Sequence, residues 1–339
     1  MPPSDLSALS RAAFPATALL AGAGATVIVV SCLFGPAPIG VGAALAGLVG
    51  AGDPAIVLVA QEVRLPRALA AWLAGAALGA AGAGLQGLLR NPLADPGVLG
   101  VSAAAALGAV IAIYFNLAAL AFWMTPLASI LFALGATGLL YILGAGRVST
   151  ARLILVGVGI SSFCGALTAL VMNLAPNPFV LTDLVSWLFG SVANRSFPDL
   201  ALAAPFLAAG LAMLLLAAPG LRALTLGEEA AFSLGADLPR LRLLTIAGAA
   251  LMVGASVSIA GAIGFVGVVA PHLARPFVGH DPARAIIPAA LVGGALVAAA
   301  DFAVRLLPFE QELRLGVAAA LIGAPGFVWI AARTRRLAA

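Results

Sequence analysis

The 339-residue sequence contains no lysine; all 17 of its basic side chains are arginine. A phosphate-cradling GxxxxGK[ST] loop sets a lysine on the β- and γ-phosphates, so these residues encode no P-loop ATPase. Charge of any kind is scarce, at 9% of residues with 63% hydrophobic, against about 25% charged in soluble domains. A water-soluble fold is excluded. The only two cysteines, Cys32 and Cys164, lie in separate apolar stretches with no CxxC spacing and read as small core hydrophobes. His272 and His280 are not spaced as a metal site, and there is no HExxH, no Ser/His/Asp set and no pair of intramembrane carboxylates. An intramembrane enzyme therefore has no catalytic set to work with, and the chain offers no metal or cofactor site. The net charge of +4 is spread between apolar stretches rather than clustered on one face, which speaks against a nucleic-acid partner.

Long apolar runs fill what remains. A spanning helix needs about 20 apolar residues, because the hydrocarbon core is about 30 Å thick and offers no water to backbone groups. Charges and Pro/Gly/Asn turns cut the sequence into ten such segments, near 14–34, 66–89, 97–115, 120–144, 152–174, 200–218, 242–262, 264–278, 285–305 and 315–332. The first is too long for a signal-peptide core, and Pro271 makes the eighth a short one. The expected fold class is all-α: a polytopic membrane protein of about ten transmembrane helices, one transmembrane domain over residues 1–339, embedded in a lipid bilayer. Positive residues are retained on the cytoplasmic side. With the N-terminus inside, twelve arginines (11, 90, 147, 152, 222, 240, 242, 275, 284, 333, 335 and 336) fall inside and five (64, 67, 195, 305 and 314) outside. That split predicts two cytoplasmic termini. The second segment carries Gly75-xxx-Gly79-xxx-Ala83-xxx-Gly87 on one face and the seventh Gly254-xxx-Ser258, spacings that let helix backbones approach closely. An echo between Ala83-Gly84…Asn91-Pro92 and Ala260-Gly261…Pro271-His272 suggests two five-helix halves of inverted topology.

Four polar features interrupt this pattern. Arg90-Asn-Pro-Leu-Ala-Asp-Pro-Gly97 forces a tight turn that either joins two helices or forms a gate at a pore mouth. Residues 220–242 form the longest polar cytoplasmic segment. Within it Glu228 and Glu229 suit the first turn of a short helix and Gly235 its cap, making either an interfacial loop helix or a docking element for a soluble subunit. Outside, residues 176–198 hold a helix too short to span, read as a re-entrant or surface element closing the outer mouth. Asp301 and Arg305 stand four apart, as a self-neutralising pair or a functional one. Within the fifth span, Ser161, Ser162 and Thr168 are either helix–helix hydrogen bonders or the lining of a polar pathway.

Several motifs, in order from about residue 60 to the end, resemble one known family. They are Arg64-Leu-Pro-Arg67, Gly84-Leu-Gln-Gly-Leu-Leu-Arg-Asn-Pro-Leu-Ala-Asp-Pro-Gly-Val-Leu-Gly100, Gly264-Phe-Val-Gly-Val-Val-Ala-Pro-His-Leu-Ala-Arg275, Ala300-Asp301 with Arg305, and Leu321-Ile-Gly-Ala-Pro325. The family is that of the permeases of iron-siderophore, haem and vitamin B12 importers, the ten-helix class of ATP-binding-cassette importers. The resemblance implies a bacterial inner-membrane homodimer, two ATP-binding subunits below that carry ATP and magnesium, and a periplasmic substrate-binding protein above. It implies ATPase coupling through Glu228, Glu229, Ala231, Leu234, Gly235 and Asp237, and cytoplasmic gates at Asn91 and Leu93 and at Ser149 and Thr150. Arg64, Arg67 and Arg305 match outer arginines that receive acidic side chains of the binding protein. The expected cargo is an iron-siderophore first, haem second and cobalamin third. One departure stands out: where the family reads Glu-Leu-Pro-Val-Gly, this chain reads Glu312-Leu-Arg-Leu-Gly316, so Arg314 replaces a proline in an outer turn. The rival reading, an ion-coupled secondary transporter, needs charges near the bilayer midplane, whereas nearly all charges here sit at helix ends.

Overall fold

The computed structural model describes residues 3–143, 150–308 and 312–334, with side chains over 16–143, 152–308 and 312–328. All regular structure among the described residues is helical. Helix α1 (Pro3–Leu33) is followed by two short helices that the apolar pattern did not separate, α2 (Val41–Leu48) and α3 (Pro54–Leu58). Asp53 starts α3 by accepting a hydrogen bond from the Ala55 amide at 2.8 Å, with Pro54 at the first helical position. From there the chain stays helical through a π-helical turn (Val59–Arg64) into α4 (Leu65–Leu89). The continuous span of 36 residues is about 54 Å long at 1.5 Å per residue, well beyond the hydrocarbon core. The expected start at residue 66 is therefore corrected to Pro54. Gln61, Glu62 and Arg64 made the stretch look like a loop, and the wider π turn carries the helix past Pro66, which lacks an amide hydrogen.

The chain reverses at Arg90, in the left-handed conformation (φ 48°), and enters α5 (Val101–Tyr114) and α6 (Met124–Leu143). Helix α7 (Thr150–Asn173) leads to α8 (Pro178–Leu188), eleven residues capped by Asn177. The long α9 (Phe197–Leu224) opens on a capping box in which Ser196 and Asp199 bond reciprocally. Then come α10 (Glu228–Ser233), α11 (Leu238–Ala260), α12 (Val266–Ala274), α13 (Pro282–Leu306) and α14 (Leu315–Thr334). All ten expected spans thus correspond to a helix. Among the described residues seven are long and apolar enough to cross a bilayer by length and composition; α5 and α12, at 14 and 9 residues, are the shorter members.

Chain direction gives the bundle two ends. The basal end carries the turn at 90–96, the segment 225–237 and residues 275–281; the apical end carries 34–53, 115–123, 189–196 and 307–314. In their most apolar 18-residue windows α3–α4 and α11, the second and seventh spans, are 83% and 78% buried, whereas α7 is 22% buried. The glycine face explains why α4 lies so deep. A Cβ at Gly75, Gly79 or Gly82 would overlap the carbonyl oxygens of Gly293, Ala289 and Gly267, on α13 and α12. Only hydrogen lets these backbones meet. Between α11 and α12 the chain is non-helical over 261–265, tucked against the end of α8: the Ser191 amide donates to the Ala260 carbonyl at 2.8 Å, and the Gly316 amide to that of Phe189 at 2.9 Å. Gly261 and Ile263 are buried, so at these points protein meets the irregular backbone.

Candidate functional site

At the apical end the arginines expected on an outer surface turn inward. Arg64 is 5% exposed and donates to the carbonyls of Cys32 at 3.1 Å, Leu33 at 3.0 Å and Ala37 at 3.0 Å, closing the C-terminal end of α1. The Cys32 and Leu33 carbonyls end α1 without a partner in their own helix, so the guanidinium supplies one. Arg305 is 8% exposed, paired with Asp301 at 3.2 Å and donating to the Ser31 hydroxyl. Asp301 itself is shared, since Arg67 contacts it at 2.9 Å. The expected local Asp301–Arg305 pair is in fact a three-helix network joining α1, α4 and α13. Only its outer edge reaches the surface, where Arg67 grips the half-exposed Glu312. In this conformation Arg64 and Arg305 do not present free donors to a partner. The end of α1 and the turn after it are what enclose Arg64.

Of the expected basal segment 220–242 only 225–237 lies between the long helices, because α9 runs on to Leu224 and α11 begins at Leu238; the short helix expected within it is present. Glu228 and Glu229 occupy the first turn of α10, Gly235 adopts φ 84° just past its end, and Asp237 caps α11 by accepting from the Arg240 amide at 3.1 Å. Glu228 is further tied to Arg242 at 3.0 Å. The inner and outer faces of α10 divide the expected coupling residues. Ala231 is fully buried and packs the helix onto the bundle, so it touches no partner directly; Leu234 is 68% exposed. Phe232, at 72% exposed, was missed and stands beside it, with Leu226 at 67% nearby. The signal was available: in Glu-Glu-Ala-Ala-Phe-Ser-Leu the small Ala231 is the residue that fits against a neighbour, leaving the bulky ones outside.

The turn at 90–97 is rigid. Asn91 accepts from the Leu93 amide at 3.0 Å and Asp95 from the Gly97 amide at 2.7 Å. Gln86 braces it from α4, donating to the carbonyls of Ala94 and Gly267 at 3.3 Å each while accepting from Arg275. Burial pushes the Asp95 carboxyl above the usual carboxylate range, partly opposed by the Gly97 hydrogen bond. Ser161 of α7 donates to the Gly97 carbonyl at 3.0 Å, so it ties span to turn. Ser162 lies exposed on the open face of α7 and Thr168 is half-buried. Ser149 lies outside the described residues, and of Thr150 only the backbone, opening α7, is described.

Comparison with known proteins gives this arrangement a relation. Residues 23–333 match the model of the FecCD transport family. The chain is 38% identical to the vitamin B12 import system permease protein BtuC of Klebsiella pneumoniae, over 81% of this chain and 82% of that one. It is 36% identical to the hemin transport system permease protein HmuU of Yersinia pestis, over 81% and 83% of the two chains. With an uncharacterized ABC transporter permease protein, YvrB of Bacillus subtilis, it shares 35% identity over 86% and 83%. A solved structure described as an inward-facing conformation of a transporter of the metal-chelate ABC type superposes with a TM-score of 0.77 at 30% identity, covering 96% of this chain and 99% of that one. With an all-helical bundle, a braced basal turn and a family match over nearly its whole length, the chain belongs to the FecCD transport family.

Proposed function

We propose that this chain is the transmembrane permease subunit of an ATP-driven importer that carries an iron chelate, siderophore or haem, or a cobalamin. It would accept the cargo from a periplasmic binding protein at the apical end and release it at the basal end. The observation that carries this reading is α10: a short capped helix on the basal face, holding Phe232 and Leu234 out in water, on a chain with no lysine for a P-loop. Exposed apolar side chains on a rigid helix at a polar surface fit a protein partner, and an ATP-binding subunit, two per importer, is the partner the family calls for. The basal end is then cytoplasmic, with both termini on that side of a bacterial inner membrane. A second copy of the chain is the expected companion in the bilayer. The open face of α7, where Gly159 and Gly165 have no neighbour within 4 Å, supplies a surface for it.

An ion-coupled secondary transporter fits less well. The buried carboxylate of Asp301 is held by two arginines and is not free to bind and release a coupling ion. The deciding experiment reconstitutes the permease with its ATP-binding subunit and binding protein and compares wild type with Phe232→Asp. Loss of ATP-driven uptake and of ATPase copurification, with the permease still folded, supports the assignment. Uptake that persists without any ATPase and follows an ion gradient sinks it.

A further inference from the structure

The basal end holds a hollow that the transport reading does not use. It lies where the last turns of α4 meet α12, the start of α13 and Thr225 just past α9, and its volume is about 380 Å³, within the roughly 300–1,000 Å³ of small-molecule sites. Arg90, Arg275 and His280 line it together with Asn91, and no acidic residue does. Two chain reversals bring them there. Arg90 closes α4 in the left-handed conformation, and His280, at φ 63°, lies in the turn from α12 to α13.

Retention of positive residues on one side of the membrane accounts for arginines at this end, but not for their convergence on one hollow without a counter-charge. Among the described residues Arg90 and His280 make no side-chain hydrogen bond or ion pair, and Arg275 makes one bond, donated to the Gln86 side chain. Gln86 is buried and braced on the carbonyls of Ala94 and Gly267, so it fixes the guanidinium in place. A guanidinium carries more donors than that bond uses. Asn91 commits its Oδ1 to the Leu93 amide, which leaves its Nδ2 as a donor. Asp281, the residue after His280, is already engaged: Arg222 holds it at 2.7 Å, Arg284 at 3.6 Å, and it accepts from the Ala283 amide. The N-terminus of α13 offers no free amide either, because Pro282 has none and those of Ala283 and Arg284 both donate to Asp281. Recognition here falls to side chains.

We propose that this hollow binds a phosphate group, carried either on a dissolved ester or on a lipid headgroup, with Arg275 and Arg90 as its main holders and Asn91 and His280 beside them. The uncommitted groups are donors, which suits an anion rich in acceptor oxygens, and the lack of any acid in the wall speaks against a cation. Arginine's planar fork matches phosphate oxygens with charge-assisted bonds. A phosphate presents more acceptor oxygens than one guanidinium meets, so two arginines on one hollow fit it better than a single carboxylate. Basic hollows between helix ends at a membrane surface can be reached by anionic headgroups as well as from water. The site goes beyond the transport reading and does not depend on it, since binding is measured on the chain itself.

The test presents one headgroup from the two sources. The full-length chain in nanodiscs of zwitterionic lipid is titrated calorimetrically with glycerol 3-phosphate and with glycerol. In detergent, native mass spectrometry compares retention of phosphatidic acid with that of diacylglycerol. The expected result, in at least one arm, is saturable binding of the phosphate-bearing probe but not of its phosphate-free counterpart, weakened at least tenfold by Arg275→Gln and several-fold by Arg90→Gln. Arg240→Gln on α11 removes the same charge from an exposed position outside the hollow and should leave the affinity unchanged. Arg90 is exposed, so its variant carries the test if Arg275→Gln does not fold. Binding of glycerol 3-phosphate identifies a dissolved ester as the occupant, and retention of phosphatidic acid alone identifies a headgroup. No phosphate-dependent binding in either arm, or a loss in Arg240→Gln equal to that in Arg90→Gln, overturns the site.

Discussion

Arg67 holds Glu312 by two parallel hydrogen bonds, of 3.1 and 2.8 Å, across 245 residues of sequence. This bidentate clasp is the geometry a partner's carboxylate would adopt on the same guanidinium. If Arg67 receives an acidic side chain of the binding protein, Glu312 competes with it. Glu312→Gln should then tighten binding-protein docking by roughly two- to fivefold, the scale of a partly exposed ion pair of about 0.5–1 kcal/mol. Arg67→Glu should weaken docking and reduce its salt sensitivity. Affinity measured over a salt series checks both. Unchanged affinity in Arg67→Glu, with the protein folded, would mean the arginine serves only the internal network.

Helix α10 separates packing from contact. Phe232→Asp should leave the melting temperature of the permease near wild type and abolish copurification of the ATP-binding subunit. Ala231→Glu should act differently, because a charge pushed into a fully buried position dislodges the helix itself and costs several kcal/mol. Melting curves recorded beside pull-downs distinguish the two effects.

The pH dependence of the basal turn follows from Asp95. A carboxyl whose folded pKa lies above its unfolded value binds protons more tightly when folded, so its ionisation costs stability as pH rises through that window. Asn keeps the acceptor for the Gly97 amide without the charge. Asp95→Asn should therefore be more heat-stable than wild type at neutral pH, with the gap closing as pH falls towards the carboxylate range. Thermal unfolding from pH 4 to 8 in detergent tests this, and a gap that widens on acidification contradicts it.

In the glycine face of α4, Gly82→Ala should destabilise by about 1–3 kcal/mol or more, since the new methyl meets a backbone carbonyl that cannot swing aside. Gly135→Ala on α6 is the control: nothing lies within 4 Å of its Cβ position, and alanine gains up to about 1 kcal/mol in helix propensity. Chemical or thermal unfolding of the two variants should move in opposite directions.

Cysteines introduced at Leu93 and Thr150 examine the gate roles carried over from the family. Crosslinking between two copies, with a yield that changes with nucleotide in the assembled importer, is the expected outcome. Absence in every nucleotide state removes both from the pathway.

Apolar length and turn chemistry made the order of helices legible, because most spans announce themselves by about 20 mainly apolar residues. The second span was misplaced at its start because Gln61, Glu62, Arg64 and Pro66 each argue for a loop, and only the π turn reconciles them with a helix. Small-residue spacing correctly marked the face of α4 that meets α12 and α13, though not which helices would seat there. For the arginines, position was legible but not direction: Arg64 and Arg305 sit at the expected end, yet their donors reach Leu33 and Ser31, partners that local spacing does not reveal. Ala231 and Phe232, about 100° apart on a short helix, were separable by side-chain size, the small one packing inward and the bulky one facing water.

The interlock between α4 and its neighbours also restricts how the molecule can move. A helix whose glycines rest on carbonyl oxygens of α12 and α13 cannot ratchet by a turn or roll without steric collision, so these helices travel as one keel. Any alternation between outward and inward access then falls to the helices packed around that keel.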